Sequence, residues 1–171
     1  MEHLKTLIRA VPDFPVPGIL FRDVTPLLGD ARALREVVAH FADRYRDAGI
    51  DAVAGIESRG FIFGAPLAIE LGVGFVPIRK IGKLPADKIH REYALEYGTA
   101  TLEVHVDAVQ PGQRVLLIDD LLATGGTAGA STALLEALGA EVAAVAFLIE
   151  LTFLDGRAPL AGHDVYSILQ Y

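Results

Sequence analysis

The sequence of 171 residues contains no cysteine, so disulfide bonds and thiolate metal sites are excluded. It also lacks any apolar run near the roughly 18 residues that a transmembrane helix requires, and no membrane role is expected. Positive charge is scarce, because 15 Lys and Arg stand against 22 Asp and Glu, a net charge of −7. Broad nucleic-acid binding depends on basic surfaces that neutralise phosphates, so this balance argues against it. Any phosphate-binding site must be a local basic cluster.

Apolar residues make up 52% of the chain, which predicts a large core or a subunit interface. Residues 1–9 alternate charged and apolar side chains and lack the apolar region and cleavage site of a secretory signal. A cytoplasmic protein is therefore expected. No repeat, low-complexity tract or linker interrupts residues 1–171, and we predict a single domain.

Apolar patterns that alternate between strand and helix predict an α/β fold with a mainly parallel, twisted sheet flanked by helices. Asp30 and Gly49 bound a helix predicted over residues 31–48, and Pro66 should kink a second helix or lie in its first turn. A third helix is predicted over residues 127–138. The predicted strands cover residues 51–56, 73–78, 99–106, 114–118, 142–149 and 165–169.

Two further segments have distinct patterns. Residues 84–98 have no clean period and many polar side chains, which favours a mobile lid loop over a packed element. Residues 99–106 alternate, which predicts a half-exposed strand with Leu102, Val104 and Val106 on one face and Glu103 on the other.

The segment 115–127 combines a buried strand, two adjacent carboxylates at its end and a small-residue loop that opens a helix. Ligands bind beyond the carboxyl ends of strands in open α/β sheets, and the amides of a helix start attract phosphate. Glycine allows close approach of the backbone to the anion. The carboxylates can accept hydrogen bonds from ribose hydroxyls and hold Mg²⁺ through water. The predicted phosphoribosyl site comprises Asp119, Asp120, Ala123, Thr124, Gly125, Gly126 and Thr127. An isolated acid pair would more often simply end a strand.

This thirteen-residue combination resembles the signature of the type I phosphoribosyltransferases. Further segments extend the resemblance over nearly the whole chain and narrow it to the adenine phosphoribosyltransferase family. They are residues 12–26, 55–61, 79–85, 95–98 and 167–171.

The resemblance implies a type I phosphoribosyltransferase fold with a small hood over residues 1–28 and a flexible lid over residues 84–98. It implies pyrophosphate binding by Ser58, Arg59, Arg79, Lys80 and Lys83, although a lone Arg59 or a basic run could equally be a solvated surface. Adenine is expected to contact the backbones of Leu20 and Arg22 and to stack between Phe21 and Leu151. Glu96 and Arg59 are the expected catalytic residues, although Glu96 could also be a plain exposed carboxylate of the lid, to which Tyr97 belongs.

The expected reaction joins adenine to the ribose 5-phosphate of phosphoribosyl pyrophosphate, giving AMP and pyrophosphate in purine salvage, with Mg²⁺ bound through substrate and water. The family also implies a homodimer. Two alternatives stay open from sequence: a phosphoribosyltransferase for another purine base, and a regulator that senses phosphoribosyl pyrophosphate and binds nucleic acid.

Overall fold

The structure is a computed structural model that describes residues 1–94 and 98–171. Its strands are β1 (Arg9–Pro12), β2 (Leu20–Asp23), β3 (Ala52–Ile56), β4 (Gly74–Lys80), β5 (Lys88–Ala94), β6 (Thr99–His105), β7 (Arg114–Leu122), β8 (Glu141–Glu150) and β9 (Val165–Gln170). Its α-helices are α1 (Thr25–Gly29), α2 (Ala31–Tyr45), α3 (Arg59–Leu71) and α4 (Gly126–Ala137). Short 3-10 helices cover Glu2–Leu7, Thr152–Leu154 and Ala158–Leu160.

Seven strands form the central sheet in the order β5-β6-β4-β3-β7-β8-β9. The five strands from β4 to β9 in this order pair in parallel, whereas β5 and β6 pair antiparallel at one edge. Every residue of β3 is buried, as expected for a central parallel strand with both sheet faces covered. The predicted α/β class with a mainly parallel sheet is confirmed.

Each face of the sheet carries its own hydrophobic core. One core lies under α2 and α3 and includes the fully buried Phe41 and Phe63. The other lies under α4 and includes Leu134 and Phe147. This three-layer arrangement leaves the carboxyl ends of the parallel strands as the place where loops from both sides meet.

The first two strands lie within residues 1–28, the segment that was expected to form a hood. Strands β1 and β2 make a separate two-stranded antiparallel sheet, with Val11 opposite Phe21. Within the described residues β2 pairs with β1 alone, so the second backbone edge of β2 has no strand partner.

Helix α2 begins as predicted, because the Asp30 carboxylate accepts hydrogen bonds from the N–H groups of Arg32 and Ala33. It ends at Tyr45, earlier than predicted, since the Ala48 N–H turns back to the Tyr45 carbonyl before Gly49. Pro66 was expected either to kink a helix or to lie in its first turn, and it lies inside α3, beyond the first turn.

Three sequence expectations about strands need correction. Part of the predicted lid loop is a strand, because β5 pairs with β6 along its whole length. Glu103 was expected on an exposed face, yet it is 1% exposed, while Val106 lies beyond β6 and is exposed. Asp119 and Asp120 were expected at a strand end, but β7 continues to Leu122 because it pairs with β8 up to that residue.

In the described residues, no helix has the length and apolarity to cross a membrane.

Candidate active site

A cavity of about 360 Å³ opens at the carboxyl ends of β3 and β7. Its walls come from the loop after β3, the end of β4, strands β5 and β6, and the turn between β7 and α4. The predicted residues that line it are Ser58, Arg59, Lys80, Asp119, Asp120, Ala123, Thr124, Gly125, Gly126 and Thr127. The structure therefore brings most of the predicted phosphoribosyl and pyrophosphate residues into one cavity.

The turn between β7 and α4 directs the first amides of the helix into this cavity. Gly125 has a φ of +80°, and a Cβ placed there would lie 2.1 Å from the carbonyl oxygen of Gly156. Both the left-handed backbone and the close contact therefore require glycine. The start of α4 supplies unpaired N–H groups and the positive end of the helix dipole, which together favour a bound anion.

A second loop supports this turn from behind and was missed from sequence. A Cβ on Gly156 would lie 2.1 Å from the Ala123 carbonyl oxygen, so the two loops touch backbone to backbone. The neighbouring Arg157 donates from Nε and Nη2 to the two carboxylate oxygens of Glu150, each at 2.7 Å. Ser167 donates to the same carboxylate at 2.5 Å. Hydrogen bonding from Arg157 lowers the pKa of Glu150, although burial opposes the shift.

The two adjacent carboxylates have different surroundings. The Asp120 side chain is 4% exposed and accepts a hydrogen bond from Nε of Arg59. Burial, followed by the charge of Asp120, raises the pKa of Asp119 well above its ordinary value. Helix α3 approaches them closely, since a Cβ on Gly60 would lie 2.7 Å from the Ile118 carbonyl oxygen and 3.0 Å from Oδ1 of Asp119. No signal in the sequence distinguished the two acids.

Phe21 of β2 approaches the same site at Arg59. The guanidinium carbon of Arg59 lies 5.9 Å from the centre of the Phe21 ring, within the range of a cation–π contact. Arg22 turns away to Tyr171, with its guanidinium carbon 3.9 Å from the ring centre. Leu20 is exposed, at 49%. Since Leu20 and Arg22 are two residues apart in β2, their backbone groups point to the same strand edge.

Leu151 follows β8 directly and is half-buried. Its N–H donates to the Leu122 carbonyl at 2.9 Å, and Leu122 lines the cavity. Leu151 is therefore adjacent to the site, although it does not belong to the cavity wall.

The basic residues at the end of β4 and just after it make different contacts. Lys80 lines the cavity, whereas Nε of Arg79 donates to Oε2 of Glu57 at 3.2 Å and Nη1 donates to the Lys83 carbonyl at 3.3 Å. Burial raises the pKa of Glu57, but hydrogen bonds from the Lys80 N–H and from Arg79 outweigh it and bring the pKa below its ordinary value. Arg79 thus forms an ion pair with Glu57 that holds its carboxylate in place. The spacing of basic residues did not predict this interaction.

Strand β5 covers the start of α4. Tyr93 lines the cavity, and its hydroxyl oxygen accepts a hydrogen bond from Oγ1 of Thr127 at 3.2 Å. A Cβ on Gly126 would lie 3.2 Å from the Ala94 carbonyl oxygen. The predicted catalytic Glu96 and the lid residue Tyr97 lie outside the described residues.

A direct protein site for a metal ion is not apparent among residues 1–94 and 98–171, where no group of three or more His, Cys, Asp or Glu side chains is arranged to hold one. Asp119 and Asp120 supply carboxylate oxygens of the kind that Mg²⁺ prefers, but Asp120 already forms an ion pair with Arg59. This donor set fits an ion bound mainly by substrate and water.

The phosphoribosyl transferase domain family matches residues 27–164. An adenine phosphoribosyltransferase from Chloroflexus aurantiacus is 59% identical over 170 residues, which cover 99% of this chain and 98% of that protein. The chain belongs to the adenine phosphoribosyltransferase family.

Solved structures of the adenine phosphoribosyltransferase family agree with this assignment. The crystal structure of the enzyme from Thermoanaerobacter pseudethanolicus has a TM-score of 0.96 at 54% identity and covers 99% of both chains. The enzyme from Trypanosoma brucei, crystallised with AMP, pyrophosphate and ribose-5-phosphate, has a TM-score of 0.91 at 30% identity, covering 99% of this chain and 78% of its own. The fold is that of the type I phosphoribosyltransferases.

Proposed function

We infer that this chain is an adenine phosphoribosyltransferase, a pentosyltransferase that converts adenine and phosphoribosyl pyrophosphate to AMP and pyrophosphate in purine salvage. The observation that carries the inference is the single cavity in which an amide-rich helix start, an acid pair and basic side chains face one another. Phosphoribosyl pyrophosphate carries a phosphate ester, a ribose and a pyrophosphate in this order. The helix start suits the phosphate ester, the acid pair suits the ribose hydroxyls, and the basic side chains suit the pyrophosphate.

We assign the 5′-phosphate to the turn formed by residues 123–127. The amides at the start of α4 and the hydroxyls of Thr124 and Thr127 supply donors to its oxygens, and Gly125 keeps the backbone close to the anion. The contact between Gly125 and Gly156 supports the assignment, because it holds the turn in shape without a ligand.

We assign the ribose hydroxyls to the acid pair. Asp120 is held by Arg59, which fixes the position of the carboxylate, and Asp119 lies beside it in the cavity wall. Arg59 also faces the cavity, so its remaining N–H groups can bind the pyrophosphate oxygens as negative charge develops on the leaving group.

The pyrophosphate contacts Ser58, Arg59 and Lys80 in this proposal, with Arg79 and Lys83 nearby on the same basic stretch. Bound Mg²⁺, held by substrate oxygens and water near Asp119 and Asp120, would neutralise part of the pyrophosphate charge. The protein's own part is to bind both ends of the donor and to exclude water from the anomeric carbon.

We place adenine against Phe21, with Leu151 on the opposite face and the backbones of Leu20 and Arg22 at its edge. The 5.9 Å contact between Phe21 and Arg59 supports this placement, because it puts an aromatic face beside the ribose and pyrophosphate groups. The exocyclic amine of adenine would donate to a backbone carbonyl, and hypoxanthine, which has an oxygen at that position, would leave the carbonyl unpaired, so selectivity of about 10⁴-fold is reachable.

Glu96 is proposed as the acid/base that manages the purine ring proton, and Tyr97 as a lid residue. Both proposals rest on the resemblance of residues 95–98 to the family. Glu96→Gln should lower kcat and alter its pH profile. Full turnover with the same pH dependence would rule the catalytic role out.

The reaction itself is tested by following AMP formation from phosphoribosyl pyrophosphate with adenine, hypoxanthine or guanine. Only adenine should be turned over efficiently. The doubly substituted variant Thr124→Ala, Thr127→Ala should raise the KM for the phosphoribosyl donor much more than the KM for adenine. Equal effects on both substrates would contradict the phosphate assignment. Turnover of hypoxanthine comparable to that of adenine would contradict the base assignment.

We also propose a single domain, a cytoplasmic location and a homodimer. Ile62 and Ile69, at 38% and 79% exposure on α3, support an apolar interface on that helix. Light scattering on the purified chain tests the dimer, and a mass of one chain would exclude it.

A further inference from the structure

A buried carboxylate lies beneath the turn that follows β4. Glu103, in the middle of β6, is 1% exposed and lies opposite Arg79 in the antiparallel register of β4 and β6. Its carboxylate accepts three backbone hydrogen bonds, from the N–H groups of Gly82 at 3.1 Å, Lys83 at 2.8 Å and Leu84 at 2.6 Å. An ionised side chain is expensive to bury, so these three donors account for its place in the fold.

The three hydrogen bonds fix the backbone of a turn that is largely exposed. Gly82 and Lys83 are exposed, and Gly82 has a φ of +80° with open space around it, so packing does not hold these two residues, whereas Leu84 is buried. Burial raises the pKa of Glu103, but the N–H donors of Leu84, Gly82 and Lys83 outweigh it and bring the pKa below its ordinary value. The carboxylate therefore stays ionised and keeps all three bonds at neutral pH.

From this turn, a continuous set of contacts leads to the cavity. The carbonyl of Lys83 accepts a hydrogen bond from Nη1 of Arg79, whose Nε donates to Glu57. The same Glu57 oxygen accepts the N–H of Lys80 at 3.0 Å. Since Glu57 and Lys80 line the cavity, displacement of the Lys83 carbonyl would release Arg79 and alter the wall that faces the leaving group.

We propose that Glu103 is a positioning residue for the pyrophosphate end of the donor. It acts through the turn and Arg79 to hold Glu57 and Lys80 in the cavity wall, without contact to the substrate. The inference rests on the proposed assignment of this wall to pyrophosphate. It adds a buried acid whose function is to organise the basic stretch.

The test compares Glu103→Ala and Glu103→Gln with Val104→Ala. Val104 is the next residue of β6 and is 0% exposed, so its truncation removes core packing without touching the amides of the turn. Steady-state KM values for phosphoribosyl pyrophosphate and for adenine, kcat and the inhibition constant for pyrophosphate are measured for each variant, together with Tm.

Glu103→Ala should raise the KM for phosphoribosyl pyrophosphate and the inhibition constant for pyrophosphate by about tenfold or more, with the KM for adenine changed less than about twofold. Glu103→Gln keeps the shape but offers one acceptor oxygen where the carboxylate offered two, so it should raise the KM for phosphoribosyl pyrophosphate and the inhibition constant for pyrophosphate by an intermediate amount, about threefold. Val104→Ala should lower Tm and leave all three constants close to those of the original chain.

The inference is overturned if Glu103→Ala and Val104→Ala lower Tm alike and both leave the KM for phosphoribosyl pyrophosphate and the inhibition constant for pyrophosphate unchanged. If Glu103→Ala fails to fold, Glu103→Gln decides: unchanged constants for donor and pyrophosphate reject the positioning role. Failure of the proposed function is recognised separately, because the original chain would then not form AMP from adenine at all.

Discussion

Replacement of Gly125 by alanine tests whether the phosphate turn is held in shape by its contact with the loop behind it. The added methyl group would meet the Gly156 carbonyl oxygen at 2.1 Å and Cδ of Pro159 at 3.2 Å. At 2.1 Å from a backbone oxygen, the methyl group cannot be accommodated by a side-chain rotation. One of the two loops must move, and the amides that face the phosphate move with the turn.

Gly72→Ala is the matched control. Gly72 also has a left-handed backbone, with a φ of +70° against +80° for Gly125, but a Cβ there meets nothing within 4 Å. Both substitutions therefore share the penalty for a left-handed alanine, about 1–2 kcal/mol. Only Gly125→Ala adds overpacking, about 1–3 kcal/mol.

The difference in unfolding free energy between the two variants should thus be about 1–3 kcal/mol, and each kcal/mol lowers Tm by about 2–4 °C in a chain of this size. Gly125→Ala should also raise the KM for phosphoribosyl pyrophosphate by about tenfold or more, while Gly72→Ala leaves it unchanged. Thermal unfolding and steady-state kinetics measure both quantities. Equal Tm losses with the same KM in both variants would refute the idea that loop contact shapes the turn.

Three further predictions address other parts of the site. Phe21→Ala should raise the KM for adenine about tenfold, because aromatic stacking on a base contributes about 1–3 kcal/mol. An equal rise in the KM for the phosphoribosyl donor would contradict the base assignment. Tyr93→Phe should lower the KM for the donor about twofold to fivefold, since Thr127 then has no hydroxyl to release before it binds phosphate, and a raised KM would count against this. Because pairing with Arg157 lowers the pKa of Glu150 from its ordinary 4.5, the stability that the pair contributes is present above pH 4.5 and lost as pH falls through the folded pKa. Urea unfolding from pH 7 to 3 should show a shallower acid loss in Arg157→Ala, and identical slopes would exclude the contribution.

The phosphate turn could be predicted from sequence because its geometry is local. Gly125 and Gly126 lie between a strand and a helix, and the amides of such a helix start point outward whatever surrounds them. The end of the preceding strand could not be predicted in the same way. Leu121 and Leu122 remain in β7 because they pair with Ile149 and Glu150 of β8, which are distant in sequence.

The strand within residues 84–98 shows the same limit. Ile89 and Tyr93 pack against the core, but the exposed Arg91 lies between them and breaks the apolar alternation. The segment becomes a strand because β6 offers a complete row of pairing partners, from His105 to Thr99. Propensity in strands depends strongly on such neighbours, so the pattern of a single segment is a weak guide.

Glu103 and Glu150 were missed for a related reason. In sequence, each is an isolated acid: strand alternation assigns Glu103 to an exposed face, and Glu150 directly follows the strand predicted over residues 142–149. Burial becomes possible only where several donors converge: three amides from one turn for Glu103, and Arg157 with Ser167 for Glu150. Such convergence is a property of tertiary structure, and the residue types alone carry no sign of it.

The electrostatics of the cavity explain how a chain with a net charge of −7 can accommodate a polyanion. Two acids in the wall are already compensated: Asp120 by Arg59, and Glu57 by Arg79 and the Lys80 amide. Lys80 and the helix-start amides line the cavity and can attract the ligand's phosphates. Local compensation decides the sign of the field that a bound anion meets, because charges farther away than about 8–10 Å are screened by salt. Net charge therefore excludes a broad basic surface, but it places no limit on a site of this size.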